Sequence, residues 1–118
     1  MIHLTKAEEQ IMRILWKQKT ATIKSIIEDL GKPKPAYNTV STIVRILESK
    51  EFVSHYPEGK GYIYFPVLKK VEYTSQSLHK LTDNYFNGSV KSLVSFFIKN
   101  KEMDINELEE ILKEIKTQ

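Results

Sequence analysis

The sequence predicts a mainly α-helical protein with one small β-hairpin, and three observations predict it. Apolar residues recur at i, i+3, i+4, i+7 in several stretches, the spacing of a helix buried along one stripe. Between Phe52 and Phe65 the period shortens to about 2 among aromatic and β-branched residues, as in strands. Gly31, Pro33, Pro35, Gly59, Gly61 and Gly88 fall between these stretches, where turns belong.

In chain order, Thr5-Lys6-Ala7-Glu8 is a capping box that opens a first helix. Ala7, Ile11, Ile14 and Leu15 form its stripe, Met12 and Trp16 flank it as core, and it should end near Lys17. Lys19-Thr20-Ala21-Thr22 is a short polar break in which Thr22 can cap a second helix. Ile23, Ile26, Ile27 and Leu30 are its stripe and Gly31 its stop. Lys32-Pro33-Lys34-Pro35 then forbids helix and forces an extended turn.

The third helix, residues 36–48, has two faces. Val40, Ile43, Val44 and Leu47 make the buried stripe, while Asn38, Ser41, Thr42 and Arg45 repeat the spacing on the other side. That second face has short hydrogen-bonding groups, one guanidinium and no acid at its centre. It suits a base-pair edge and the phosphates beside it. Ordinary solvation is the alternative, although Ser, Thr and Asn are mediocre helix formers for that purpose. Arg45 has a structural alternative too, a surface ion pair with Glu48.

Phe52–Tyr56 and Tyr62–Phe65 read as two strands, with Pro57-Glu58-Gly59-Lys60-Gly61 as their turn and Pro66 as the end. Helix, turn, polar-faced helix and hairpin, in that order, make a winged helix-turn-helix. Lys32 and Lys34 at the entrance of the third helix and Lys60 at the wing tip are candidates for phosphate. A plain exposed lysine is an equal account of Lys60.

The remainder is helical. Val71, Leu78, Leu81 and Tyr85 mark one helix, ended by Asn87-Gly88. Ser89 opens another bearing Val90, Leu93, Val94, Phe96, Phe97 and Ile98, which cover roughly 200° of the wheel and need cover from two directions. Asp104-Ile105-Asn106-Glu107 caps the last helix, with Ile105, Leu108, Ile111, Leu112 and Ile115 as its stripe. So much apolar surface on short helices points to a second copy of the chain. The expected division is a winged-helix DNA-binding domain over residues 1–70 and a helical dimerisation region over 71–118.

Composition agrees. The 118 residues suit one domain or a small domain with a helical extension, and 41% apolar residues support a core. Residues 1–66 hold ten Lys/Arg against seven Asp/Glu, and residues 67–118 eight of each, so the basic excess lies with the DNA-reading candidates. No apolar run reaches bilayer length, and the first nine residues lack a signal-peptide layout, so a cytoplasmic protein without membrane contact is expected. There is no cysteine, and His3, His55 and His79 have no ligand-spaced partners, so no metal is expected. Without a nucleophile elbow, a phosphate-binding glycine loop or a His-Glu-x-x-His, neither catalysis nor a cofactor is expected.

With these parts in place, the chain resembles the penicillinase-repressor family of bacterial winged-helix regulators (BlaI/MecI/CopY type). The residues that carry the resemblance are Leu4-Thr5-Lys6-Ala7-Glu8 with Ile14-Leu15-Trp16, Tyr37-Asn38-Thr39-Val40-Ser41-Thr42, Arg45–Lys50, Gly61–Pro66 and Phe86–Val94. The resemblance implies a homodimeric repressor on a palindromic operator, controlling β-lactam-resistance or related genes. It implies that the Thr39/Thr42 region contacts DNA, and that the last three helices dimerise, which adds Phe86 to their apolar set. It implies release by an outside event, which in the β-lactam branch is proteolysis within those helices, triggered by a membrane sensor. The bond cut there is Asn-Phe, and the matching pair here is Phe96-Phe97. Absence of cysteine excludes the copper-responsive mode, and Glu51 stands where the family usually has glycine. The competing class is a winged helix that docks on a partner protein; an even charge balance on the recognition face would favour it.

Overall fold

A computed structural model of the chain describes residues 2–117. Six helices and one hairpin follow in the order α1 Lys6–Gln18, α2 Ile23–Leu30, α3 Tyr37–Ser49, β1 Val53–Glu58, β2 Gly61–Pro66, α4 Lys70–Tyr85, α5 Val90–Lys99 and α6 Ile105–Lys116. The chain divides into two compact units, Met1–Ser75 and Gln76–Gln118, with the break inside α4.

Local chemistry sets the helix starts. The Thr5 hydroxyl accepts from Glu8 N–H at 3.1 Å while the Glu8 carboxylate accepts from Thr5 N–H at 2.8 Å. Thr22 and Ser25 make the same reciprocal pair for α2, and Asp104 and Glu107 for α6. The core of the first unit is built from Ile11, Met12, Ile14 and Leu15 of α1, Ile23 and Ile26 of α2, and Val40, Val44 and Leu47 of α3, with Leu4, Ala21, Val53, Tyr64 and Leu68. Ala7, expected in the α1 stripe, is exposed; Leu4 and the Glu8 side chain are buried instead. Trp16 is half-buried and donates its indole N–H to the Leu68 carbonyl at 2.8 Å, so it fastens the segment after the wing to α1.

The hairpin is longer and its turn tighter than the sequence suggested. The strands pair antiparallel from Val53↔Pro66 to Glu58↔Gly61, which leaves Gly59-Lys60 as a two-residue turn. Gly59 takes φ 60 at the first central position, where a type II′ turn calls for glycine. Pro57 stands opposite Tyr62 within the ladder. The break between α1 and α2 also has a role that sequence left out. Ala21 and Tyr64 exchange backbone hydrogen bonds of 2.9 and 2.8 Å, so β2 lies between β1 and a one-residue third strand.

At the end of α3, Phe52 N–H bonds to the Leu47 carbonyl and Glu51 N–H to the Glu48 carbonyl. This is a Schellman close, and Glu51 occupies its left-handed position with φ 66. The glycine usual in the resembling family has a physical reason here, and this chain does without it.

Candidate nucleic-acid interface

The α3 face is built from the core outward. Val40, Val44 and Leu47 are fully buried and Ile43 is half-buried, which fixes the roll of the helix and turns Asn38, Thr39, Thr42 and Arg45 to solvent. Ser41, expected on the exposed face, is half-buried; it shares its flank with Tyr37 and Glu48. Two apolar side chains that lie outside the buried stripe border the polar face. Tyr37 is 59% exposed and Ile46 is 44% exposed.

Hydrogen bonding defines what each group can still offer. The Thr42 hydroxyl donates to the Asn38 carbonyl at 2.8 Å, so its proton is committed and its acceptor capacity remains. The Ala36 N-cap has no side-chain hydrogen bond, which leaves first-turn N–H groups of α3 without a capping partner. Arg45 does not pair with Glu48. That carboxylate is taken by His55 of β1, whose Nδ1 lies 2.5 Å from Glu48 Oε1, and Arg45 makes no ion pair among the described residues.

Lys32 and Lys34 are exposed in the turn before α3, and Lys60 is exposed at the tip of the hairpin. None of the three is in an ion pair among the described residues, whereas Lys17 and Arg13 on α1 are each paired with an acid. Lys50, the C-cap residue of α3, has a partner that local spacing does not predict. Its ammonium meets both oxygens of the buried Glu8 carboxylate, at 3.1 and 2.8 Å. Burial pushes the Glu8 carboxyl up, but Lys50 and the Thr5 N–H and hydroxyl outweigh it, and its pKa lies below the ordinary value. The pair ties the end of α3 to the start of α1.

The Gln76–Gln118 unit is of another kind. Among its described residues no hydrophobic side chain is buried; Thr82 alone is, at 2% exposure. Leu78, Leu81, Tyr85, Val90, Phe97, Ile111, Leu112 and Ile115 are exposed, and Phe86, Leu93, Val94, Ile98 and Leu108 are half-buried. Exposed apolar surface on this scale marks an interaction site. Phe96 and Phe97 both lie within α5. Among the described residues no group of His, Asp or Glu is placed to hold a metal, and no helix is long and apolar enough to cross a membrane.

Comparison with known proteins gives a consistent picture. The family model described as penicillinase repressor matches residues 4–117. A penicillinase repressor of Bacillus licheniformis is 28% identical over 117 residues, covering 96% of this chain and 91% of that one. A penicillinase repressor of Staphylococcus aureus is 27% identical, covering 93% and 88%. Among solved structures, the monomeric form of Bacillus licheniformis BlaI in complex with the blaP half-operator superposes with a TM-score of 0.52 at 25% identity. It covers 61% of this chain and 89% of that one.

Proposed function

Since the chain belongs to the penicillinase repressor family, we propose that it acts as a dimeric, sequence-specific DNA-binding transcriptional repressor of the cytoplasm. The observation that carries this reading is the α3 face: Asn38, Thr39, Thr42 and an unpaired Arg45 stand exposed, with the neighbouring acid engaged elsewhere. Such a face meets base edges in the major groove with hydrogen-bond groups and finds no charge of its own to repel the backbone. Lys32 and Lys34 before the helix and Lys60 on the wing supply counter-charge for phosphates, and Ser41 lies at the rim.

Residues 1–70 form the DNA-binding part in this reading and residues 71–118 the dimerisation part. The lack of any buried hydrophobic side chain among residues 76–117 supports the second assignment, because a second copy supplies the missing cover. Two subunits then set two α3 helices into half-sites about one helical turn, ~34 Å, apart or a multiple of it, on a palindromic operator. The regulated genes are β-lactam-resistance or related genes, as the relatives' names suggest. The protein is a regulator without catalytic activity. Release acts on the dimerisation helices through a sensor-linked protease; the Phe96–Phe97 bond lies within α5 and becomes accessible only when that helix opens.

A gel-shift titration against DNA upstream of its own gene, at two salt concentrations, tests the reading. A sequence-selective shift that weakens with salt is expected. Absence of such a shift would sink it and favour a protein-docking winged helix.

A further inference from the structure

Glu48 stands three residues after Arg45 on α3, close enough for a surface ion pair. Such a pair would place the carboxylate on the one guanidinium of the recognition face. Instead His55 reaches across from β1 and holds Glu48. A carboxylate can only accept, so the ring carries a proton on Nδ1. The ring also lies beside two aromatic neighbours, with Tyr62 edge-on at 4.9 Å between centroids and Tyr64 tilted at 5.5 Å. Burial is the first cause that raises the Tyr64 phenol above its ordinary pKa; the charge of Glu48 adds to it and that of Arg45 opposes it.

We infer that His55 is a positioning residue for DNA reading: by holding Glu48 through Nδ1 it keeps Arg45 free to meet the operator. Without the imidazole, the carboxylate has two ways to weaken binding. It can capture the guanidinium in a charge-assisted pair, which withdraws the longest donor of the face. It also sets an unpartnered negative charge beside the phosphate backbone. The wing thus contributes to recognition from its first strand, β1, independently of any contact made by its tip. This role rests on the repressor reading above.

The test is a four-member cycle of wild type, His55→Ala, Glu48→Gln and the double variant, read as operator affinity by fluorescence anisotropy at one pH and salt concentration. His55→Ala should weaken binding about tenfold, the scale of losing one charged contact. Glu48→Gln alone should change it by less than about twofold, because its charge is already engaged, and the double variant should return to within about twofold of wild type. A wing that had merely come loose would not be rescued by removing the acid. Wild-type affinity in His55→Ala, or a double variant as weak as His55→Ala, overturns the role. A gain of about tenfold in Glu48→Gln alone overturns it as well, because the two sites would then act additively. If wild type binds no operator selectively, the repressor reading fails and this role falls with it. If wild type binds and rescue is absent, the role of His55 alone fails.

Discussion

Replacing Lys50 by methionine removes the cation that Glu8 meets from the far end of α3, and leaves the carboxylate where it is. The Glu8 side chain is 4% exposed and keeps the Thr5 N–H and hydroxyl as its remaining partners. Removing one partner of a fully buried ion pair costs about 3–5 kcal/mol. The Lys50 side chain is 37% exposed, so water already reaches its ammonium and screens the pair. A loss of about 2 kcal/mol at neutral pH follows. The assay is urea unfolding followed by the fluorescence of Trp16, the sole tryptophan, with protomer concentration held constant. The pH dependence gives a second handle. The folded pKa of Glu8 is lowered, so its contribution is present above the unfolded value of about 4.3 and lost as pH falls through the folded value. The gap between wild type and Lys50→Met should therefore be open at about pH 7 and narrower at about pH 2.5, below the unfolded value. A gap under about 0.5 kcal/mol at neutral pH, or one of equal size at both pH values, would refute the argument.

Further outcomes are expected at the recognition face and beyond it. Arg45→Ala should weaken operator binding by about 1–3 kcal/mol in the gel shift, and unchanged affinity would remove it from the interface. Lys60→Ala should weaken all DNA sequences alike and flatten the salt dependence; a loss confined to one operator would contradict a phosphate role. Glu51→Gly should stabilise the fold by about 0.5–1 kcal/mol in urea, since a left-handed non-glycine costs about 1–2 kcal/mol and glycine returns part of that as unfolded-chain entropy. Destabilisation would show that the Glu51 side chain makes a contribution its backbone position conceals. Sedimentation of a Leu93→Asp/Phe97→Asp double variant should give monomers with poor operator affinity, and a surviving dimer would move the interface elsewhere.

Features closed within four residues were legible in the sequence: the capping boxes at Thr5/Glu8 and Asp104/Glu107, and the stripe Val40–Val44–Leu47. Each is set by helical spacing, which sequence displays directly. Helical spacing misplaces Ala7 and Ser41 at the margins of their faces, and the larger departures arise where strand pairing or distant partners decide. Pro57, Glu58 and Gly61 are poor strand formers, yet pairing across a two-residue turn draws them into the ladder. The Ala21–Tyr64 bridge and the Lys50–Glu8 pair join residues more than forty positions apart, so no local pattern announces either. Glu48 shows the same limit from the other side. Its nearest cation in sequence is Arg45, but its partner in space is on the wing. Tyr37 and Ile46 lie outside the buried stripe of α3 and border its polar face, a place that helical spacing permits and hydrophobicity alone does not suggest.

The place of Pro57 in the ladder bears on self-association. Counting from the paired Glu58↔Gly61, hydrogen-bonded and open pairs alternate, so Pro57↔Tyr62 is an open pair. The phase agrees with Tyr64, whose N–H and carbonyl turn away from β1 to Ala21. The missing N–H of Pro57 therefore belongs to the outer side of β1, the edge that β2 does not cover. The ladder loses nothing, while a strand from another molecule approaching that edge finds one donor fewer. In the dimer proposed above, two wings on one operator would bring such edges to high local concentration, and a proline there would discourage them from joining each other instead of following the DNA.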